Sequence, residues 1–171
     1  MGSVRLALIR VDDASAKLED AFLIFAHAAI AGLVVAAVVM RYVFHDPLVW
    51  GQEFIVGLFT WLIFIGGSAA LRHRMHIRID AIGALFLRPR LFFMNTVSVA
   101  VGTIVVVALL WAALVNTSDI AGVKTPMLDI AQAWFDSALP VALALLLLHV
   151  VRIVVERGPA AVFAGQLEKL D

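Results

Sequence analysis

The chain has 171 residues, of which 63% are hydrophobic and 15% charged, and its mean hydropathy is +1.02, more apolar than a soluble domain of this size can bury. Its 13 Lys and Arg balance 13 Asp and Glu, so no basic excess points to nucleic acid as a partner. Cys is absent, which removes a disulfide framework, thiolate metal ligation and a cysteine nucleophile together.

Residues 1–20 hold Asp12, Asp13, Glu19 and Asp20 and no uninterrupted apolar core, unlike a cleavable signal peptide. Val4, Leu8, Val11 and Leu18 fit one helical face, so the segment is read as a short interfacial helix or a disordered tail. Four charge-free runs follow: 21–40, 54–71, 91–115 and 137–151. A hydrocarbon core roughly 30 Å thick needs about 20 helical residues. The first three runs nearly suffice, and the fourth is best extended forward past Arg152 to Val155, because an arginine near a helix end can snorkel while a buried aspartate is costly. The expected fold is an all-α integral membrane protein with four transmembrane helices over about 21–42, 54–71, 91–115 and 132–155, followed by a tail over 156–171. Between the second and third spans, 75–87 reads as another interfacial segment, with Pro89 punctuating the approach to the third.

Lys and Arg set the orientation. Eleven of the 13 lie before the first span, in the second loop or in the tail, and only Arg41 and Lys124 lie in the other loops. The positive-inside rule therefore places both termini in the cytoplasm. Tyr42, Trp50, Trp111 and Trp134 then all fall at the outer interface, as an aromatic belt requires, while Trp61 sits inside a span and reads as a packing residue.

Transport through a bundle calls for ionisable groups near the bilayer midplane, or for paired broken helices. The midpoints of these runs fall near Gly32, Leu62, Thr103 and Ala144, none of which can carry charge. Asn95, Thr96, Ser98 and Thr103 are uncharged, and Pro140 can kink the fourth helix but has no matching break elsewhere. Small residues at four-residue spacing, Ala28 with Gly32 and Ala36, Gly66 with Ala70 and Ala108 with Ala112, suit close helix approach in lipid.

Arg41 and Glu53 cap adjacent spans at the same end, which admits an ion pair or two separately solvated charges. Arg72, Arg74, Arg78, Arg88 and Arg90 form a basic inner rim, either a lipid-headgroup site or simply the topogenic signal. His73 and His76 lack a third metal ligand. His27 and His149 lie at similar expected depth in the first and fourth spans and define the alternative reading, a membrane redox protein binding haem axially. A small multidrug-type exporter would want an embedded carboxylate, whereas Glu53 and Asp136 lie at span ends.

The run Arg41-Tyr42-Val43-Phe44-His45-Asp46-Pro47-Leu48-Val49-Trp50-Gly51-Gln52-Glu53, continuing through Phe59-Thr60-Trp61-Leu62, Gly66-Gly67 and Ala70-Leu71-Arg72 to His76-Ile77-Arg78-Ile79-Asp80, resembles the small membrane subunit of tripartite ATP-independent periplasmic (TRAP) transporters, the DctQ-type family. Thr125-Pro126-Met127-Leu128, then Trp134 and Ala138-Leu139-Pro140, resemble that family's approach to its last helix. The resemblance implies a non-enzymatic subunit of a bacterial inner-membrane importer, with no cofactor, catalytic residue or substrate residue of its own. Its partners would be a large membrane subunit carrying the sodium and organic-anion sites, a periplasmic binding protein and membrane phospholipids. Arg41, Trp50, Glu53, Arg72, His76 and Asp80 occupy the family's recurrent positions and are expected in interface or structural roles. One departure is Gln52, where the family commonly has a second acidic residue before Glu53.

Overall fold

A computed structural model describes residues 2–72 and 88–157, with side chains for 5–72 and 97–156. The described residues form helices joined by loops, with one isolated antiparallel bridge between Lys124 and Ala131 and no strand. In order they are α1 (Gly2–Tyr42), α2 (Val49–Arg72), α3 (Arg88–Asp119), the short α4 (Ala133–Asp136) and α5 (Ala138–Arg157). Four stretches among them are long and apolar enough to cross a membrane: Arg5–Tyr42, Val49–Arg72, Val97–Asp119 and Ala133–Glu156. Helix is the form lipid demands, because a spanning segment must satisfy its own backbone N–H and C=O groups.

The N-terminal segment, read as a short interfacial helix or a disordered tail, is from Gly2 onward the first part of α1, which runs unbroken for 41 residues. It has no Pro or Gly between Gly2 and Gly32 to interrupt it. α1 ends at a turn in which His45 takes a positive φ of 55° and Asp46 N–H closes on the Met40 carbonyl at 3.1 Å. The fourth span is interrupted at Ser137, between α4 and α5. Pro140 accounts for the break, because it has no N–H to donate to the Asp136 carbonyl one turn back. α5 continues past Arg152 to Arg157, and Arg152, expected to snorkel to water, turns instead toward Asp12 and Asp13 of α1.

α2 and α5 form the middle of the molecule. α1 packs along α2 and more lightly on α5, and α3 packs on the other side of α5. Beside the larger Ile65, Leu71 and Val99, small side chains supply most of the buried apolar positions: Ala26 on α1, Ala69 on α2, Ala113 on α3, Ala138 and Ala142 on α5. Such residues let helix axes approach closely where lipid provides no hydrophobic drive. Of the four-residue stripes expected to serve this purpose, Gly66 with Ala70 is half-buried, and Gly66 faces Leu23 of α1. Ala28, Gly32 and Ala36 and also Ala108 and Ala112 are exposed, and nothing within the chain approaches Gly32. At Gly57 on α2, by contrast, the Phe135 ring occupies the space a Cβ would need.

Candidate functional site

The polar side chains gather at the two ends of the bundle. At the end holding Tyr42, Val49 and Ala133, Glu53 Oε2 accepts hydrogen bonds from the backbone N–H groups of Met127 (3.0 Å) and Leu128 (2.8 Å). The loop it holds is tightly wound. Thr125 N–H donates to the Ile130 carbonyl at 2.8 Å, Gln132 N–H donates to the Val123 carbonyl at 2.8 Å, and Asp129 adopts a positive φ of 53°. Lys124 Nζ pairs with Asp129 Oδ2 at 2.9 Å across this loop. A cleft of about 480 Å³ opens beside it, with Gln52, Glu53, Thr60, Gln132 and Asp136 among its polar lining.

Glu53 thus has a role that neither sequence reading foresaw. It does not pair with Arg41, which is exposed and has no ion pair among the described residues. Trp50 is half-exposed at the start of α2, and Tyr42, Trp111 and Trp134 are exposed, consistent with an interfacial belt. Trp61 is the packing residue expected: its Nε1–H donates to the Trp134 carbonyl at 3.1 Å, and its ring stacks edge-on against Phe22 with centroids 6.2 Å apart.

The opposite end, where the described N- and C-terminal residues lie, holds a buried ionic cluster. Asp12 and Glu19 stand seven residues apart, two helical turns, and so share one face of α1. They are 1% and 3% exposed, and between them sits His149 of α5, also 1% exposed. His149 Nδ1 lies 2.6 Å from Asp12 Oδ1, and Nε2 lies 3.0 Å from Glu19 Oε1. Two carboxylates facing the two nitrogens can both be satisfied only if both ring nitrogens carry protons or one carboxyl does. Ser68 of α2, fully buried, donates to Glu19 Oε1 at 3.3 Å.

Arginines close the cluster on both sides. Arg152 binds Asp12 through Nη1 and lies 2.5 Å from Asp13 Oδ1, with Glu156 one turn on at 3.5 Å from its Nε. Arg72 binds Asp20 through Nη2 and sets its Nε 3.7 Å from Glu19 Oε2, within ion-pair reach but beyond a hydrogen bond. Of the two roles expected for Arg72, the structural one has this geometry. Buried charges persist only when paired and hydrogen-bonded, and here each buried carboxylate meets both an arginine and the histidine.

This cluster also removes the ligands of the haem alternative. Both nitrogens of His149 face carboxylates, and His27 lies on the exposed side of α1 with Nδ1 2.7 Å from the Leu23 carbonyl. His27 is eight residues beyond Glu19, about 12 Å along the helix. No group of three or more His, Asp or Glu suited to a metal ion occurs among the described residues. His73, Arg74, His76, Arg78 and Asp80 lie outside the described residues, as do the side chains of Arg88 and Arg90.

The fold and the placement of charge define a class, a multi-pass four-helix membrane protein with a charge-free middle. Comparison with known proteins narrows it. The family model for the DctQ component of tripartite ATP-independent periplasmic transporters matches residues 30–158, and the chain belongs to that family. It is therefore a transporter component of the bacterial inner membrane and not an enzyme. Over 73 residues it is 32% identical to the C4-dicarboxylate TRAP transporter small permease protein DctQ of Vibrio cholerae serotype O1, covering 43% of this chain and 32% of that protein. Over 124 residues it is 27% identical to the sialic acid TRAP transporter permease protein SiaT of Haemophilus influenzae, covering 72% of this chain and 20% of that protein. The aligned part thus spans a third or less of the length of these relatives.

Proposed function

We propose that this chain is the stationary small subunit of an importer, bracing a large membrane subunit that itself binds the solute and the coupling ion, with sodium the expected ion. The observation that carries the reading is where the charge lies. The runs 21–40, 54–71 and 137–151 hold no Asp, Glu, Lys or Arg, and His149, the histidine in the last of them, is engaged with Asp12 and Glu19 in holding the chain to itself. Escorting a charged solute or a cation needs the opposite arrangement.

The match to SiaT, of which this chain aligns with only 20%, supports a larger membrane partner. The names of both relatives specify carboxylate-bearing solutes, which supports an organic anion delivered by a periplasmic binding protein. The Lys and Arg distribution supports cytoplasmic termini, with the ionic cluster inside and the Glu53 loop outside. Phospholipids are the expected neighbours of the exposed apolar faces.

The test is co-expression and reconstitution. The chain should co-purify with a large TRAP membrane subunit from the same organism, and proteoliposomes containing this chain alone should show no sodium-driven uptake of organic acids. Uptake by the lone chain would overturn the reading.

A further inference from the structure

The N-terminal part of α1 is held to the bundle by charge rather than by apolar packing. Its inward stripe is Asp12, Ser15, Ala16 and Glu19, with Ala16 the one buried apolar residue in it, whereas Val11 and Leu18 point outward at 56% and 72% exposure. The seam therefore depends on the charge state of what faces it. α1 presents Asp12, Asp13, Glu19 and Asp20, α2 presents Arg72 beside Ser68, and α5 presents His149, Arg152 and Glu156. The arginines stay charged at any ordinary pH. Among the cations, His149 is the one whose charge can change near neutrality.

We propose that Asp12, His149 and Glu19 form a proton-holding latch, and that loss of its proton releases the N-terminal part of α1 from α5. The step is a simple dissociation: an N–H bond of the imidazolium breaks, the proton leaves to water, and the ring nitrogen keeps the electron pair. That lone pair then faces a carboxylate oxygen, at the 2.6 Å contact with Asp12 or the 3.0 Å contact with Glu19. Repulsion replaces a hydrogen bond. His149 is 1% exposed and has a carboxylate of α1 against each ring nitrogen, so turning the ring exchanges one carboxylate for the other and the strain is relieved by moving α1. The inference does not rest on the transport reading: a latch that fails leaves the accessory role intact, and a latch that works does not establish it.

The absence of cysteine allows a direct test on the full chain in lipid nanodiscs. Arg10→Cys and Val155→Cys place two spin labels on exposed positions of α1 and α5 outside the cluster. The distance distribution between them should be narrow at about pH 6 and should broaden reversibly toward longer distances by about pH 10. Glu19→Gln keeps the size and the acceptor oxygen but offers an amide N–H₂ that can bond the bare ring nitrogen, so the broadening should disappear in that variant. His149→Gln should abolish it as well. A distribution unchanged across the range in the parent chain, or the same response retained in Glu19→Gln, would overturn the latch.

Discussion

At one end of this bundle a single carboxylate, Glu53, holds a loop through two backbone amides; at the other, Asp12, Asp13, Glu19, Asp20 and Glu156 surround Arg72, Arg152 and His149 and hold three helices together. The first arrangement is local and half-exposed. Removing it frees a loop whose amides can turn to water. The second is dry at its centre, so removing one partner strands another. Polar groups in a membrane protein can thus serve either to wind a loop or to register helices, and the degree of burial decides how much each is worth.

The difference can be broken first at its strongest point. His149→Ala leaves Asp12 and Glu19 buried with less compensation and should destabilise the chain by about 3–5 kcal/mol, the cost of breaking a buried pair. Unfolding of the micellar protein by a denaturing detergent would measure it, and a loss below about 1 kcal/mol would show that the cluster is hydrated. Next, Gly57→Ala drives a methyl into the Phe135 ring and should cost about 1–3 kcal/mol by overpacking. Adding Phe135→Ala should recover part of that loss; strictly additive losses would mean that the two sites do not touch.

At the other end, Glu53→Ala should cost about 1–2 kcal/mol. Hydrogen exchange should then accelerate at Met127 and Leu128 without spreading to the α1–α5 seam, while Glu53→Gln, which retains an acceptor, should be milder. The smallest effect is expected for Lys124→Ala. Its ion pair with Asp129 is 62% and 76% exposed on the two sides, and such pairs are worth up to about 1 kcal/mol, with many contributing nothing measurable. A large effect there would show that the loop is shielded by something beyond this chain.

Much of the architecture was legible in the sequence because exclusion of charge from hydrocarbon is a property each segment shows by itself. The helical class and the number of spans follow from it. Pairings between distant segments do not. Asp12 and His149 are 137 positions apart, and spacing along a chain does not say which faces meet. A signal was present: Asp12 and Glu19 two turns apart on one helix, His149 and Arg152 three apart on another, both at span ends. Reading residues 1–20 as a separate segment hid it, because that cut the acids away from the helix that carries them. Neither alternative for Glu53, an ion pair with Arg41 or a solvated charge, finds its partners for a related reason: backbone amides from a loop 74 and 75 positions away are invisible to any count of charges.

The unbroken run of α1 has a mechanical consequence. Forty-one helical residues make a rod about 60 Å long, roughly twice the hydrocarbon thickness. Pivoted within the bilayer, such a rod is a lever: tilting it by about 5° sweeps one tip about 5 Å relative to the other. A push delivered at its Tyr42 tip would therefore be felt as displacement at the end that carries the ionic cluster.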